Sequence, residues 1–176
     1  MPVNLQATRT ASSESRRQLS LALRTIDSFQ ASIRHADTKA GVLLGAQGGM
    51  AATVWDHAAP LIGAAAPVRI AAVALASTFF VGLAVCSWHL AMAMLPRVAG
   101  PRRFTRFAFP SLAETRRPLT PSDAGQLCDE AWSHASVLAR IALSKHHRVR
   151  RGMASLAVAS VTGSALLILA TIAAAG

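Results

Sequence analysis

Three long apolar runs divide this chain of 176 residues, and they constrain its fold more than any other feature. The runs cover residues 40–59, 70–95 and 152–175. A helix needs about 20 mostly apolar residues to cross the hydrocarbon core of a bilayer, and the second and third runs exceed that length. The first run is shorter between its polar flanks, Lys39 and Asp56. We therefore expect an all-α integral membrane protein with three transmembrane helices.

The strong positive charge indicates contact with lipid rather than with nucleic acid. Lysine and arginine number 18 against 8 acidic residues, while 52% of the chain is hydrophobic, a high share for a soluble domain. The cytoplasmic flanks of membrane helices are enriched in lysine and arginine, which interact favourably with anionic lipid. We expect the lipid bilayer as a partner and no nucleic acid.

The distribution of these basic residues predicts the orientation in the membrane. Six precede the first run and eleven lie between the second and third runs, whereas the hairpin at residues 55–69 carries only Arg69. Because cytoplasmic segments collect lysine and arginine, the N-terminus and the middle segment should be cytoplasmic. The hairpin and the C-terminus should lie outside. The first forty residues are polar and show no signal peptide, so the first run should be a retained anchor.

Two long amphipathic cytoplasmic helices are predicted, continuous with the first and third spans. After a flexible N-terminus at residues 1–11, the first helix covers 12–39 and enters the first span without a break. Its apolar residues alternate three and four positions apart, as in a helical seam. They are Leu19, Ala22, Ile26, Phe29, Ile33, Ala36 and Ala40. This seam packs either on another helix of the chain or on a second chain as an oligomer stalk.

The second cytoplasmic helix is predicted over residues 121–151, with Thr120 as its N-terminal cap. Its apolar stripe comprises Leu127, Ala131, His134, Leu138 and Ile141. Before it lies a basic, phenylalanine-rich segment at residues 96–120, which suits a position on the cytoplasmic membrane surface. Residues 12–175 would then form a single helical membrane domain.

Small residues mark one face of the first span. Gly41, Gly45 and Gly49 are four residues apart, and such faces let helices approach closely in lipid. This face packs either on another span of the chain or on a second copy in a homo-oligomer. Gln47 lies beside it, and a buried amide needs a hydrogen-bond partner. It should bond a neighbouring helix or line a water path.

Three charged residues, Arg34, Asp37 and Lys39, lie where the first helix is expected to enter the bilayer, and we call them the collar. Arg34 and Asp37 are three residues apart and can pair, while Lys39 can extend its ammonium group to the interface. The sequence shows no nucleophile–base motif, phosphate-binding glycine loop or metal-ligand spacing. We expect no catalytic residues, no metal and no cofactor. Cys86 and Cys128 should be free thiols.

The stretch from Ile33 to Leu44, with its Ala-Asp-x-Lys-Ala collar, resembles the transmembrane domain of Pycsar effector proteins. The phenylalanine-rich residues 104–112 and the stretch from Leu138 to Lys145 support the resemblance. It implies an effector of bacterial antiphage defence in the inner membrane. In that family a nucleotide cyclase makes a cyclic pyrimidine nucleotide after infection, and the membrane effector responds.

No separate cyclic-nucleotide-binding domain is visible in these 176 residues. A nucleotide site on this chain would have to be built from the cytoplasmic helices and the arginine-rich segment. The residues expected to take part in ligand or signal response are Arg34, Asp37, Lys39, Arg102, Arg103 and Arg106. The expected function is membrane permeabilisation after a cytoplasmic signal. The alternative is a non-catalytic membrane scaffold that recruits a cytoplasmic partner through its helical seam.

Overall fold

The computed structural model describes residues 5–95, 107 and 123–175, with side chains from residue 13 onward. Helix α1 covers Leu5–Ala58, a 3-10 turn covers Ala59–Gly63, α2 covers Ala66–Met94 and α3 covers Ala124–Ala175. The described part of the chain contains no strand. The prediction of an all-α fold is therefore confirmed for these residues.

The first helix begins earlier than its apolar pattern indicates. It starts at Leu5, so the structure replaces most of the flexible N-terminus predicted at residues 1–11 with helix. Leucine, glutamine, alanine and arginine in this stretch favour helix, although they lack the apolar period on which the prediction depends. Residues 1–4 lie outside the described residues. As predicted, α1 passes Lys39 without a break.

Prolines separate α1 from α2. Pro60 lies at the start of the 3-10 turn and Pro67 in the first turn of α2. Proline is tolerated there because an amide hydrogen at the start of a helix has no intrahelical acceptor. The second apolar run, predicted at residues 70–95, is thus one helix from Ala66 to Met94.

The third helix begins with a side-chain hydrogen bond. The Ala124 amide donates to Asp123 Oδ1 at 2.8 Å, and a carboxylate at this end also interacts favourably with the helix dipole. The predicted cap Thr120 lies outside the described residues. So does the basic segment at 96–120, apart from Phe107. From Ala124 the helix continues to Ala175 through the predicted junction at residue 151.

Two helices, α2 and α3, are long and apolar enough to cross a membrane, while α1 does not meet the same criterion. In the most apolar windows of α2 and α3, only 22% and 17% is buried inside the chain. A core helix of a soluble protein would be mostly buried. These windows instead turn their apolar side chains outward, as expected for contact with lipid. The first of the three spans remains a prediction.

The chain forms two compact units. The first comprises Met1–His35 and Pro96–Ser144. Its core joins the predicted seam of α1 to the apolar stripe of α3: Ala22, Ile26, Ala131 and Ala135 are buried, with Leu19, Phe29, Phe107 and Leu138 around them. The seam therefore packs within the chain from Leu19 to Phe29, and of the two alternatives the intramolecular one is confirmed there.

The second unit comprises Ala36–Leu95 and Lys145–Gly176. Its core uses all three helices, and Phe79 and Leu166 in it are completely buried. One cluster contains Val54, Leu61, Ala72, Phe79, Leu83, Ala159 and Leu166. Another contains Ala40, Cys86, Leu90, Ala93 and Val149. Both cysteines are free thiols, as predicted.

Glycines mark the places where α2 and α3 approach most closely. A Cβ added at Gly82 would lie 3.2 Å from the Cβ of Ala159, and one at Gly163 would lie 2.9 Å from the ring of Phe79. Small residues let helix backbones meet in lipid. The α2–α3 contact therefore depends on the absence of side chains at these positions.

We expect Gly163→Leu to destabilise the protein by about 1–3 kcal/mol, because the added atoms overpack a core in which the Phe79 ring has no free space. Thermal unfolding in detergent, followed by far-ultraviolet circular dichroism, measures this change. Gly48→Leu is the matched control, since no described neighbour lies within 4 Å of a Cβ at Gly48. Equal melting temperatures of Gly163→Leu and the wild type would contradict the close contact.

Candidate functional site

The collar of α1 contains an ion pair with α3. Lys145 Nζ donates to Asp37 Oδ1 at 2.5 Å. Lys145 is only 5% exposed, whereas the side chain of Asp37 is 37% exposed. Burying an ammonium group costs several kcal/mol unless an opposite charge and hydrogen bonds compensate it. Asp37 supplies both, so this carboxylate holds the buried end of Lys145 in place.

Lys145 is a partner of Asp37 that the sequence analysis did not name, and the pair with Arg34 stays a prediction. Asp37 was expected to pair along its own helix with Arg34, and it binds Lys145, which lies 108 positions away. Arg34 and Lys39 are exposed on α1, whereas Asp37 is partly buried against the ammonium group of Lys145. Lys145 was not among the predicted site residues.

A signal for Lys145 is present in the sequence. The buried face of α3 repeats at alternating four- and three-residue intervals, through Ala131, Ala135, Leu138, Ala142, Lys145 and Val149. Lysine at a position of such an apolar face is rare unless it is paired. Extending the apolar stripe of α3 at the same four- and three-residue spacing would have reached Lys145. It would have predicted that this lysine is buried and paired with an acidic residue.

A second polar contact joins α1 to α2. Gln47 is 4% exposed, and its Oε1 accepts a hydrogen bond from Ser87 Oγ at 2.6 Å. Its Nε2 donates to Cys86 Sγ. Both ends of the amide are thus bonded to α2. Of the two alternatives for Gln47, a hydrogen bond to a neighbouring helix is confirmed.

The glycine face of α1, formed by Gly41, Gly45 and Gly49, lies open. A Cβ added at any of the three would have no described neighbour within 4 Å, and the same holds for Gly48. Packing of this face on another described span of the chain is therefore wrong. The reason is that α1 turns a different side inward, with Ala40, Gln47 and Val54 buried at seven-residue intervals.

The outward-facing side chains of the three helices differ in size. The outward faces of α2 and α3 carry large apolar side chains, of which Ile70 is 69% and Val161 is 70% exposed. The outward face of α1 carries glycines with the exposed Ala52 among them, and one large apolar side chain at its edge, Val42, which is 67% exposed. Large apolar side chains suit lipid tails, whereas a row of small residues lets another helix approach closely.

His134 carries a buried polar atom without a hydrogen-bond partner in the described part of the first unit. Its Nδ1 is buried and has no hydrogen-bond partner among the described residues. Burial lowers the pKa of His134 below its usual value of 6.5, because the charged imidazolium loses hydration. The imidazole is therefore held neutral in the apolar stripe of α3, where the sequence places it beside Ala131 and Leu138.

Stability should fall as the pH drops below about 6.5, the ordinary pKa that His134 regains on unfolding. Below this pH the unfolded chain binds a proton at His134 that the folded chain binds only at lower pH. Above about pH 6.5 the imidazole is neutral in both states, so His134 no longer makes stability depend on pH. When the pH is lowered from 7.5 to 5.5, we expect the melting temperature of His134→Leu to fall less than that of the wild type. His146→Leu, at an exposed position of α3, is the control. Identical losses in all three proteins would contradict the role of His134.

The comparison with known families decides the identity of the chain. A sequence profile of the Pycsar effector protein domain matches residues 21–175. The chain belongs to this family. The match spans the collar, the ion pair, α1 from residue 21 onward and the whole of α2 and α3, and it confirms the resemblance of the Ile33–Leu44 stretch. No curated protein and no solved structure matches the chain.

Membership makes this Pycsar effector part of a cyclic-nucleotide-linked antiphage defence. The family is one of transmembrane effectors and is not a known catalytic family. Three residues proposed for signal response, Arg102, Arg103 and Arg106, lie outside the described residues. For these three, as for Arg34, Asp37 and Lys39, the assignment to ligand or signal response stays a prediction.

Proposed function

We propose that this Pycsar effector permeabilises the bacterial inner membrane after a cytoplasmic cyclic-nucleotide signal. The observation that carries the proposal is the outward-facing apolar surface of α2 and α3 in a chain of this family. Exposed side chains such as Ile70 and Val161 are stable in contact with lipid and unfavourable in water. A protein in that position can change the permeability of the bilayer directly.

In this proposal α1 is the third membrane-spanning helix, although its hydropathy is lower than that of α2 and α3. Part of the deficit comes from Gln47, whose amide is bonded to Ser87 and Cys86 and so exposes no polar group to lipid. Glycines supply another part. The N-terminus and residues 96–120 would then be cytoplasmic, with the α1–α2 turn and the C-terminus outside, in agreement with the distribution of basic residues.

The activating ligand in this proposal is a cyclic pyrimidine nucleotide made by a nucleotide cyclase of the same defence system. Candidates for binding its phosphate are the basic residues that the sequence analysis selects, Arg34, Lys39, Arg102, Arg103 and Arg106, since guanidinium and ammonium groups form strong hydrogen bonds with phosphate. Either this chain or a partner could hold the nucleotide. In both cases the activating ligand or partner must bind the permeabilising arrangement of the helices more tightly than the resting arrangement.

Permeabilisation in this proposal uses a homo-oligomer in which the glycine faces of α1 meet. The open space at Gly41, Gly45 and Gly49 supports this, because a second helix can approach the glycines closely and pack beside the exposed Val42. Large side chains on the outward faces of α2 and α3 favour lipid as their neighbour. A close protein contact is therefore better accommodated on α1.

The scaffold alternative is less well supported. It needs a seam that is free to bind a cytoplasmic partner, and the seam residues Ala22 and Ile26 are buried against Ala131 and Ala135 of the same chain. Recruiting a partner through these residues would require the first unit to open.

The deciding experiment is dye release from liposomes that contain the purified protein. We expect release on addition of cyclic CMP or cyclic UMP, and none with cyclic AMP at the same concentration. In cells, expression with the cyclase should abolish the membrane potential reported by a voltage-sensitive dye. Suppose that cyclic CMP and cyclic UMP release no dye, that cells keep their membrane potential, and that the protein captures a cytoplasmic partner. This result would exclude permeabilisation and favour the scaffold.

A further inference from the structure

A groove opens beside the connection between α1 and α2. Its volume is about 480 Å³, within the range of about 300–1,000 Å³ found for small-molecule sites. The end of α1, the 3-10 turn and the first half of α2 form its walls. Trp55 and Phe80 contribute rings that meet edge to face, with centroids 6.5 Å apart. The remaining walls are almost entirely aliphatic, so the groove suits a hydrocarbon ligand.

The length of the groove corresponds to one leaflet of a bilayer. On α2 its lining residues extend from Arg69 to Val81, a distance of about 18 Å at the helical rise of about 1.5 Å per residue. Half of a hydrocarbon core of about 30 Å is about 15 Å. A groove that starts at headgroup level at Arg69 would therefore end near the middle of the bilayer.

Charge is present at one end of the groove. Among the described residues that line it, Arg69 carries the formal charge, and it is exposed. Asp56 and His57 line a different groove, which the turn forms with the end of α3. The acid nearest in sequence therefore does not line the Arg69 groove. A guanidinium group at the headgroup end of an apolar channel is complementary to a phosphate that carries an acyl chain.

We propose that this groove binds a phospholipid, with one acyl chain along α2 and the anionic phosphate at Arg69. The proposal goes beyond the proposed permeabilising function and needs only that α2 lies in a membrane. A helix of a second copy could fill the apolar part, but it would leave Arg69 without an anion. A phospholipid is complementary to both ends.

The test is native mass spectrometry of the full chain released from dodecyl maltoside, titrated with dioleoyl phosphatidylglycerol. We expect dioleoylglycerol, which has the same chains without the phosphate, to bind about five- to tenfold more weakly. Arg69→Gln should lower phosphatidylglycerol binding to the dioleoylglycerol level. Glycerol 3-phosphate, which has the phosphate without chains, should not compete.

Ser77→Trp should abolish binding of both lipids, because Ser77 is exposed and lines the groove. Ala74→Trp is the matched control, at an exposed position of α2 that does not line it. Unchanged phosphatidylglycerol binding by Ser77→Trp or by Arg69→Gln would overturn the proposal, and so would competition by glycerol 3-phosphate. Far-ultraviolet circular dichroism checks that the variants fold. These measurements use no nucleotide signal and no permeabilisation, so their outcome is independent of the proposed function.

Discussion

Replacing Asp37 with alanine is expected to destabilise the protein by about 3–5 kcal/mol, because Lys145 would remain buried with no opposite charge. Lys145 is almost fully enclosed, and its ammonium group bonds to Asp37 Oδ1. Unfolding in mixed micelles of dodecyl maltoside and sodium dodecyl sulfate measures the change in free energy. Asp27→Ala, at an exposed position on the same helix, should shift it by no more than about 0.5 kcal/mol.

The two partners should not be equivalent. Lys145→Met removes the buried charge and leaves Asp37, which is 37% exposed and stays in contact with water. This variant should therefore lose less stability than Asp37→Ala. The double variant Asp37→Ala with Lys145→Met should recover much of the loss, since apolar replacements of a buried pair are often tolerated. Additive losses in the double variant would show that the two residues are not coupled.

The helical framework could be predicted because burial leaves a periodic trace in the sequence. The seam from Leu19 to Phe29 alternates at three and four residues, and these residues pack on α3. Length and hydropathy likewise identified α2 and the end of α3. The start of α1 at Leu5 was missed, since helix formed by intrinsic propensity leaves no apolar period.

The ion pair was harder to predict because it depends on how two distant helices are aligned. Nothing in the neighbourhood of Asp37 distinguishes a pair with Arg34, one turn away, from a pair with a residue 108 positions away. The alignment of α1 with α3 is set by packing throughout the core. The lysine itself could have been recognised, since Lys145 interrupts an apolar stripe.

The glycine face shows a different limit. Spacing identified Gly41, Gly45 and Gly49 as one face, and it could not tell which helix that face meets. Burial of Ala40, Gln47 and Val54 decides the orientation of α1, and of these only Gln47 carried a local indication, since a buried amide needs partners. The sequence therefore indicated part of the buried side of α1. Only the structure shows that the glycine face has no neighbour among the described residues.

Gly45→Leu is expected to abolish depolarisation while leaving the fold intact. Nothing described lies within 4 Å of a Cβ at Gly45, so the leucine should fit without overpacking, and helix propensity should rise by several tenths of a kcal/mol. If α1 helices meet through this face in the proposed oligomer, a leucine side chain would hold their backbones apart. The measurement is membrane potential in cells that express the variant with the cyclase.

The matched control is Ala46→Leu. Ala46 is the next residue and is also exposed, but it lies about 100° further around the helix, beyond Gly45 on the side away from Gly41. This variant should depolarise cells like the wild type, and both variants should melt at or above the wild-type temperature. Full depolarisation by Gly45→Leu would remove the glycine face from the mechanism. Loss of depolarisation in both variants would show that bulk anywhere on the outward side of α1 is harmful, which favours lipid over a specific helix contact.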